Sequence, residues 1–248
     1  MKNKQPYKKF SEVYNKIMRD GFYLEYYKFI NKIFKKLKFK PRNILELACG
    51  TGKLAHIFLK NGHKIEGADI SNEMLKFARK KGIKCFQKNI AKFNLGKKFD
   101  LILCTYDSLN YLKKNKDLED CFRCVKKHLY PGGLFIFDLN SEYKINKIIA
   151  SKFKEIGLSR YYKIKKMEIF WLNLWRKNKW IAKIIIFEKI KSGFYRRFIE
   201  EHIEAAYGFS KVKKILKKTG FKIIGVYSDF RFNPVTKNSL RWFFVCRV

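Results

Sequence analysis

The chain has 248 residues, 47% hydrophobic and 17% aromatic, which suits one large domain or a domain with an insert and excludes disorder. No apolar run reaches the roughly 18 residues of a membrane-crossing helix. A net charge of +36 admits nucleic acid or an acidic membrane surface as a partner, but only eleven of the 57 cations are arginine and lysine is spread along the whole length.

Phosphate-binding surfaces lean on the bidentate fork of arginine. The lysine excess, joined by abundant Ile, Phe and Asn, therefore reads as compositional, of the kind an A+T-rich genome writes. Nucleic acid is not favoured as a partner, and no membrane association is expected. The six cysteines sit mostly in apolar runs such as "LILC" and "FFVC", as reduced core cysteines do. The opening "MKNKQPYKKF" has charge but no apolar signal segment, so a cytoplasmic location is expected.

Residues 7–40 carry helical spacing: Phe10, Val13, Tyr14 and Ile17 share one face, and Phe22, Tyr26, Phe29, Ile30 and Phe34 continue it. Pro41 ends the segment. "NILELA" then reads as a buried strand, residues 51–60 as a helix, and "HKIEGAD" as a second strand. A helix follows, capped by Ser71 and stopped by Gly82. "IKCFQ" and "FDLILCTYD" are the third and fourth strands, the latter as apolar as the middle of a parallel sheet. A helix at about 116–129, "PGG" and the strand "LFIFDLN" complete the alternation. The pattern predicts an α/β fold, an open sheet with helices on both faces.

After Asn140 the rhythm changes. "MEIFWLNLW", "WIAKIIIFEKI" and "FYRRFIEEHIEAAY" predict three strands of an antiparallel meander, with turns at "RKNK" and "KSG". A helix at 210–219 and the strands "FKIIGVYS" and "LRWFFVCRV" return to the first pattern. The meander is thus an insert, expected to cap a ligand crevice. Three segments follow: N-terminal helices over 1–40, an α/β domain over 41–140 and 208–248, and a lid over 141–207.

The stretch "ILELACGTGKLA" breaks from strand to helix through Gly50 and Gly52, as ligand loops do. A P-loop is excluded by its spacing, while G-x-G-x-x-A with Ala55 is an allowed variant of the dinucleotide fingerprint. Asp69 ends the second strand 17 residues beyond Gly52, where a carboxylate can accept bonds from both ribose hydroxyls. Thr105, Tyr106 and Asp107 stand at the carboxyl end of the fourth strand, the ligand side of such a sheet. Cys121, Cys124 and His128 share a helical face, but no fourth ligand accompanies them, so no metal is expected.

The loop E-x-A-C-G-T-G resembles the first motif of class I S-adenosylmethionine-dependent methyltransferases, whose glycines let the backbone approach the methionine half and ribose of the cofactor. With "FSEVYNKIM", "FDLI-C-DSLNYL", "GGLFIFDLNSEYKI" and "YRRFIEEHIEAAY", nearly the whole chain resembles a bacterial subgroup bearing a β-meander lid. The resemblance implies a Rossmann-like sheet of seven strands and S-adenosyl-L-methionine as cofactor. It places Glu46, Ala48, Cys49, Gly50 and Gly52 along the cofactor, with Asp69 on the ribose and Ile70 beside it. Met74 would cover the adenine ring. Asn89, where many relatives carry Asp, would accept the adenine amino group through its side-chain oxygen, and Ile90 would lend its N–H. Tyr14 resembles a tyrosine that closes over the cofactor, and Thr105 and Tyr106 complete the contacts.

The implied reaction is methyl transfer from the sulfonium to a nucleophilic nitrogen, oxygen or carbon of a small-molecule acceptor. Asp107 would orient an amine or take its proton. Arg197 and His202 have opposite parity in one lid strand, so only one of them faces the acceptor. His202 is the expected one, because a pKa near 6.5 suits proton removal. The charge admits an RNA methyltransferase as a rival, though "TYDSLNYL" lacks the asparagine-proline-proline-aromatic signature of base amino-methylating enzymes. A non-catalytic protein that binds S-adenosylmethionine as an effector is the other.

Overall fold

The computed structural model describes residues 7–18 and 20–248. Two helices open it, α1 (Ser11–Ile17) and α2 (Asp20–Leu37). Alternation then follows the predicted order. The strands are β1 (Asn43–Leu47), β2 (Lys64–Asp69), β3 (Lys84–Gln87), β4 (Phe99–Cys104) and β5 (Leu129–Asn140). The helices between them are α3 (Lys53–Lys60), α4 (Asn72–Arg79) and α5 (Asn115–Lys127). α3 starts later than its apolar pattern suggests, because Thr51 and Gly52 belong to the loop.

A π-helical turn, Lys144–Ile149, and the short α6 (Ala150–Lys152) lead into four strands: β6 (Gly157–Ile164), β7 (Met167–Arg176), β8 (Lys179–Lys189) and β9 (Tyr195–Ala205). α7 (Phe209–Lys218), β10 (Lys222–Ser228) and β11 (Arg241–Arg247) close the chain. The seven-stranded sheet has the order β10-β11-β5-β4-β1-β2-β3, with β11 antiparallel to both β5 and β10. The inserted strands form a separate antiparallel sheet, β6-β7-β8-β9. The expectation of three lid strands is corrected to four. β6, "GLSRYYKI", is an edge strand of mixed exposure, and its polar residues hid it from a search for apolar runs.

Strand parity sorts the core into two layers. Leu101 and Leu103 of β4 pack with Phe29, Ile30 and Phe58 on one face. Ile102 and Cys104 pack with Phe122 of α5 and Leu216 of α7 on the other. Truncating a fully buried ring such as Phe58 to alanine would cost about 3–5 kcal/mol. A third apolar cluster joins α1 to the lid: Phe10, Val13 and Ile17 lie against Ile169, Ile184 and Ile186. α1 therefore sits between the two sheets, across the carboxyl edge of β1 and β2.

Candidate functional site

The β1–α3 loop turns through left-handed backbone at Ala48 (φ 52°), Gly50 (φ 54°) and Gly52 (φ 70°). The two glycines do different work. A Cβ on Gly52 would stand 2.9 Å from Cβ of Ala78, so this glycine lets α3 and α4 approach. A Cβ on Gly50 would meet nothing within 4 Å, so this glycine borders open space. Cys49 is buried beneath the loop. Glu46 is buried in β1, and its Oε2 accepts the N–H of Ala55 at 3.0 Å. Burial pushes its carboxyl up to about 8, against the opposing pull of that bond.

Asp69 is buried at the end of β2. Its Oδ2 accepts the N–H of Gly50 at 2.9 Å and its Oδ1 that of Ser71 at 2.8 Å. Burial raises its pKa, and these backbone bonds oppose the rise. The Ile70 N–H adds a third backbone bond to this carboxylate. Ile70 next to it is 53% exposed, an apolar surface at the mouth of the loop. Met74 is buried in the first turn of α4, where Ser71 Oγ accepts its N–H. Asn89 is exposed and its Oδ1 accepts the N–H of Ala91 at 2.9 Å, while Ile90 beside it packs partly on the core.

α1 crosses above this loop and is tied to it. Thr51 Oγ1 donates to Asn15 Oδ1 at 2.6 Å, and Lys53 Nζ donates to the carbonyls of Asn15 and Met18. Ser71 Oγ donates to the carbonyl of Tyr7 at 3.2 Å. The Tyr14 hydroxyl bonds that of Tyr23 at 3.1 Å, and burial pushes its pKa up to about 12. Tyr106 stacks between Tyr23 and Tyr26.

At the end of β4, Thr105 is buried, and Tyr106 (φ 61°) and Asp107 (φ 51°) both take left-handed backbone, a strained pair held by its surroundings. Asp138 Oδ2 of β5 accepts the Asp107 N–H at 3.0 Å. Arg241 of β11 bonds Asp138 and also reaches Asp107 Oδ1 at 2.8 Å. Burial opposes ionisation of Asp107, but Arg241 and then Lys144 outweigh it and hold its pKa below the usual range. Glu204 of β9 hydrogen-bonds Asp107 and accepts the Asn140 amide at 2.6 Å. Burial, reinforced by the Asp107 charge, lifts Glu204 well above the usual range. Asp107 is thus the more acidic of the pair. Lys144 Nζ donates to Asn140 Oδ1 at 2.7 Å, and burial lowers its pKa. Glu204, Lys144, Asp138 and Arg241 were not legible as site residues. A buried Asp in "FIFDLN" was the one available signal.

His202 is buried on the inner face of β9, and Arg197 is exposed on the other, as parity predicts. The pKa argument for His202 is corrected: burial pushes it down to about 4, not near 6.5. Its Nδ1 lies 3.4 Å from the Tyr111 hydroxyl, which bonds the Tyr7 hydroxyl at 2.8 Å. Its Nε2 lies 3.7 Å from Glu200 Oε2, too far for a hydrogen bond. The imidazole stays neutral, so this contact is no ion pair.

The donor set fits a nucleoside with an amino-acid tail. Open space borders Gly50, a buried carboxylate ends β2 beside it, and an exposed isoleucine offers a face to an aromatic base. Among the described residues no group of His, Cys, Asp and Glu could hold a metal ion.

Residues 44–133 match a family model described as a methyltransferase domain. The chain is 28% identical to a Geobacillus sp. (strain WCH70) protein named "Putative methyltransferase", over 97% of this chain and 99% of that one. A dTDP-3-amino-3,4,6-trideoxy-alpha-D-glucopyranose N,N-dimethyltransferase of Streptomyces venezuelae is 32% identical, over 39% of this chain and 41% of its own. Among solved structures, an S-adenosylmethionine-dependent methyltransferase from Clostridium acetobutylicum ATCC 824 superposes with a TM-score of 0.80 at 29% identity, covering 98% of this chain and 99% of that one.

Proposed function

The protein is an S-adenosylmethionine-dependent methyltransferase, and we propose that it methylates a nitrogen or oxygen atom of a small, polar acceptor held between β4 and the lid. The observation that carries this reading is the buried cluster of Asp107, Glu204, Lys144 and Arg241. Desolvated charges are costly unless they serve a polar ligand or each other, and they select against apolar ones. The Streptomyces relative named above is named for an amino-sugar substrate, which supports a small-molecule acceptor; its similarity spans 39% of this chain.

In this reading the N-terminal helices (1–40) close over the cofactor, residues 41–140 and 208–248 hold it, and residues 141–207 select the acceptor. Asp69 takes the ribose hydroxyls, with Glu46, Ala48, Cys49, Gly50, Gly52, Ile70, Met74, Asn89, Ile90, Thr105 and Tyr106 along the rest of the cofactor and Tyr14 above it. The bound sulfonium supplies an electrophilic methyl group. The residues of the chain need only align an acceptor with it and exclude water. Arg241 and Lys144 hold Asp107 acidic, so it serves as a hydrogen-bond acceptor that orients an N–H or O–H of the methyl acceptor and is too weak a base to be the main proton sink. Arg241 and Asp138 hold that carboxylate in place. His202, neutral at working pH, steadies Tyr111.

The experiment is the Asp107→Asn variant. Turnover should fall by roughly 10²–10⁴-fold, the usual worth of a positioned acid or base. Affinity for S-adenosylhomocysteine should stay within a factor of a few. A variant that turns over at the wild-type rate would remove Asp107 from the reaction.

A further inference from the structure

Gly67 stands within β2, and its backbone is one that any residue adopts. Space alone requires glycine there. A Cβ on it would lie 2.6 Å from Cys49 Sγ and 3.2 Å from Cys49 Cβ. On its other side, the strand register sets Cys85 of β3 directly beside Gly67. Cys49 crosses over from the end of β1, where its N–H donates to the carbonyl of Ala68 at 3.1 Å. The gap that Gly67 leaves in β2 is therefore where the two thiols meet, and the Cys49 thiol donates a hydrogen bond to that of Cys85.

The settings of the two thiols differ. Cys49 is buried, and the bond it gives to Cys85, together with that burial, pushes its thiol well up. Cys85 is half-buried on the edge strand of the sheet. The bond from Cys49, helped by the nearby Arg79, outweighs burial and the charge of Asp69 and lowers the Cys85 thiol. Thiolate character and access decide which thiol is oxidised first. Cys85 has both, and it has a second thiol in contact to complete the reaction. Burial pushes the thiols of Cys104, Cys121 and Cys246 up, away from reactivity.

We infer that Cys49 and Cys85 are a redox pair that a hydroperoxide closes to a disulfide, and that the disulfide switches off cofactor binding. The Cys85 thiolate attacks the peroxide O–O bond, releases hydroxide and becomes a sulfenic acid. The Cys49 sulfur then attacks the Cys85 sulfur, and its proton leaves with the sulfenic oxygen as water. The peroxide gains two electrons, one from each thiol. A disulfide brings its sulfurs to about 2.05 Å, well inside hydrogen-bond contact. β3 is held in its ladder to β2, so the loop that carries Cys49 has to give. Gly50 follows it, and with it the N–H that bonds Asp69 at 2.9 Å and the open space that the proposed reading gives to the cofactor. The loss of binding rests on that reading; the disulfide does not.

The test treats the reduced full chain with a small excess of hydrogen peroxide, maps its disulfides by peptide mass spectrometry and titrates it with S-adenosylhomocysteine by calorimetry. The wild type should yield a Cys49–Cys85 disulfide and lose at least about tenfold in affinity, regained with dithiothreitol. Cys85→Ser should bind as the reduced wild type does, before and after peroxide. Cys49→Ser should stop at a sulfenic acid on Cys85, captured by dimedone. Thermal midpoints report that both variants fold. No disulfide at this pair, or one that joins Cys121 to Cys124 instead, overturns the inference. So does an equal loss of affinity in peroxide-treated Cys85→Ser. A Cys49–Cys85 disulfide with unchanged affinity overturns the switch, and Gly50→Ala then reports whether the loop's assignment to the cofactor falls with it.

Discussion

Glu200, buried in lid strand β9, caps the start of helix α1: its Oε1 accepts the N–H of Phe10 at 2.9 Å, and the N–H of Lys9 at 2.6 Å. These are donors that a helix start leaves unpaired. The lid and the strap above the cofactor loop are therefore one mechanical unit. Glu200→Ala orphans both donors, which costs about 1–3 kcal/mol. The expected outcome is a weaker hold on S-adenosylhomocysteine and a faster release, read by stopped-flow fluorescence. Glu200→Gln keeps an acceptor oxygen and should recover most of the loss. Unchanged release in both variants would separate the lid from cofactor retention.

The two loop glycines should fail in different ways. Gly52→Ala meets the backbone and Cβ of α4 in left-handed backbone, so it should destabilise folding by roughly 1–3 kcal/mol or more. Gly50→Ala has room for its Cβ and should cost stability only through backbone strain, about 1 kcal/mol. Its Cβ enters the space beside the loop, so it should cost cofactor affinity most. Denaturant midpoints and calorimetric titration, measured on both variants, check the contrast. An inverted ranking would mean that the open space beside Gly50 is not the cofactor's.

The α/β alternation, the glycine loop, the place of Asp69 at the end of β2 and the opposite facing of Arg197 and His202 were legible because each is a local pattern. Hydrophobic periodicity marks buried strands and helices, and parity fixes a face whenever the strand itself is found. The cluster around Asp107 was not legible. Its members come from β4, β5, the π-helical turn, β9 and β11, and only the fold brings Lys144, Glu204 and Arg241 together. The pKa of His202 failed for the same reason. Its aromatic surroundings, Tyr7, Phe10 and Tyr111, come from distant segments. β6 escaped because an edge strand buries too little to carry a period.

The depressed pKa of His202 has a signed consequence. The folded protein holds the imidazole neutral down to about pH 4, whereas an unfolded histidine titrates near 6.5. Its contribution to stability is therefore complete above about 6.5 and is lost as pH falls toward 4, amounting to about 2 kcal/mol by pH 5. His202→Gln should lose less stability than the wild type between pH 7 and pH 5, as read from thermal unfolding. The wild-type rate profile should show no limb near 6.5 owed to this residue. Equal acid sensitivity in the variant would contradict the burial argument.

Asp69 holds the loop and, in the proposed reading, takes the ribose, so its variants should grade. Asp69→Asn keeps oxygen acceptance at one position and should lose cofactor affinity moderately. Asp69→Ala removes two charge-assisted ribose bonds, about 1.5–3 kcal/mol each, and also frees the N–H of Gly50 and Ser71. Calorimetric titration with S-adenosylhomocysteine reads both. Wild-type affinity in Asp69→Ala would remove the ribose assignment.

The most direct test supplies methyl-labelled S-adenosylmethionine to the purified enzyme with two acceptor fractions, low-molecular-mass metabolites and bulk RNA, at about 200 mM salt, where nonspecific polyanion contacts fade. The account predicts label in the small-molecule fraction, on a nitrogen or oxygen, with stoichiometric S-adenosylhomocysteine and loss of both signals in Asp107→Asn. Label carried by RNA alone, at a rate Asp107→Asn leaves unchanged, would contradict it.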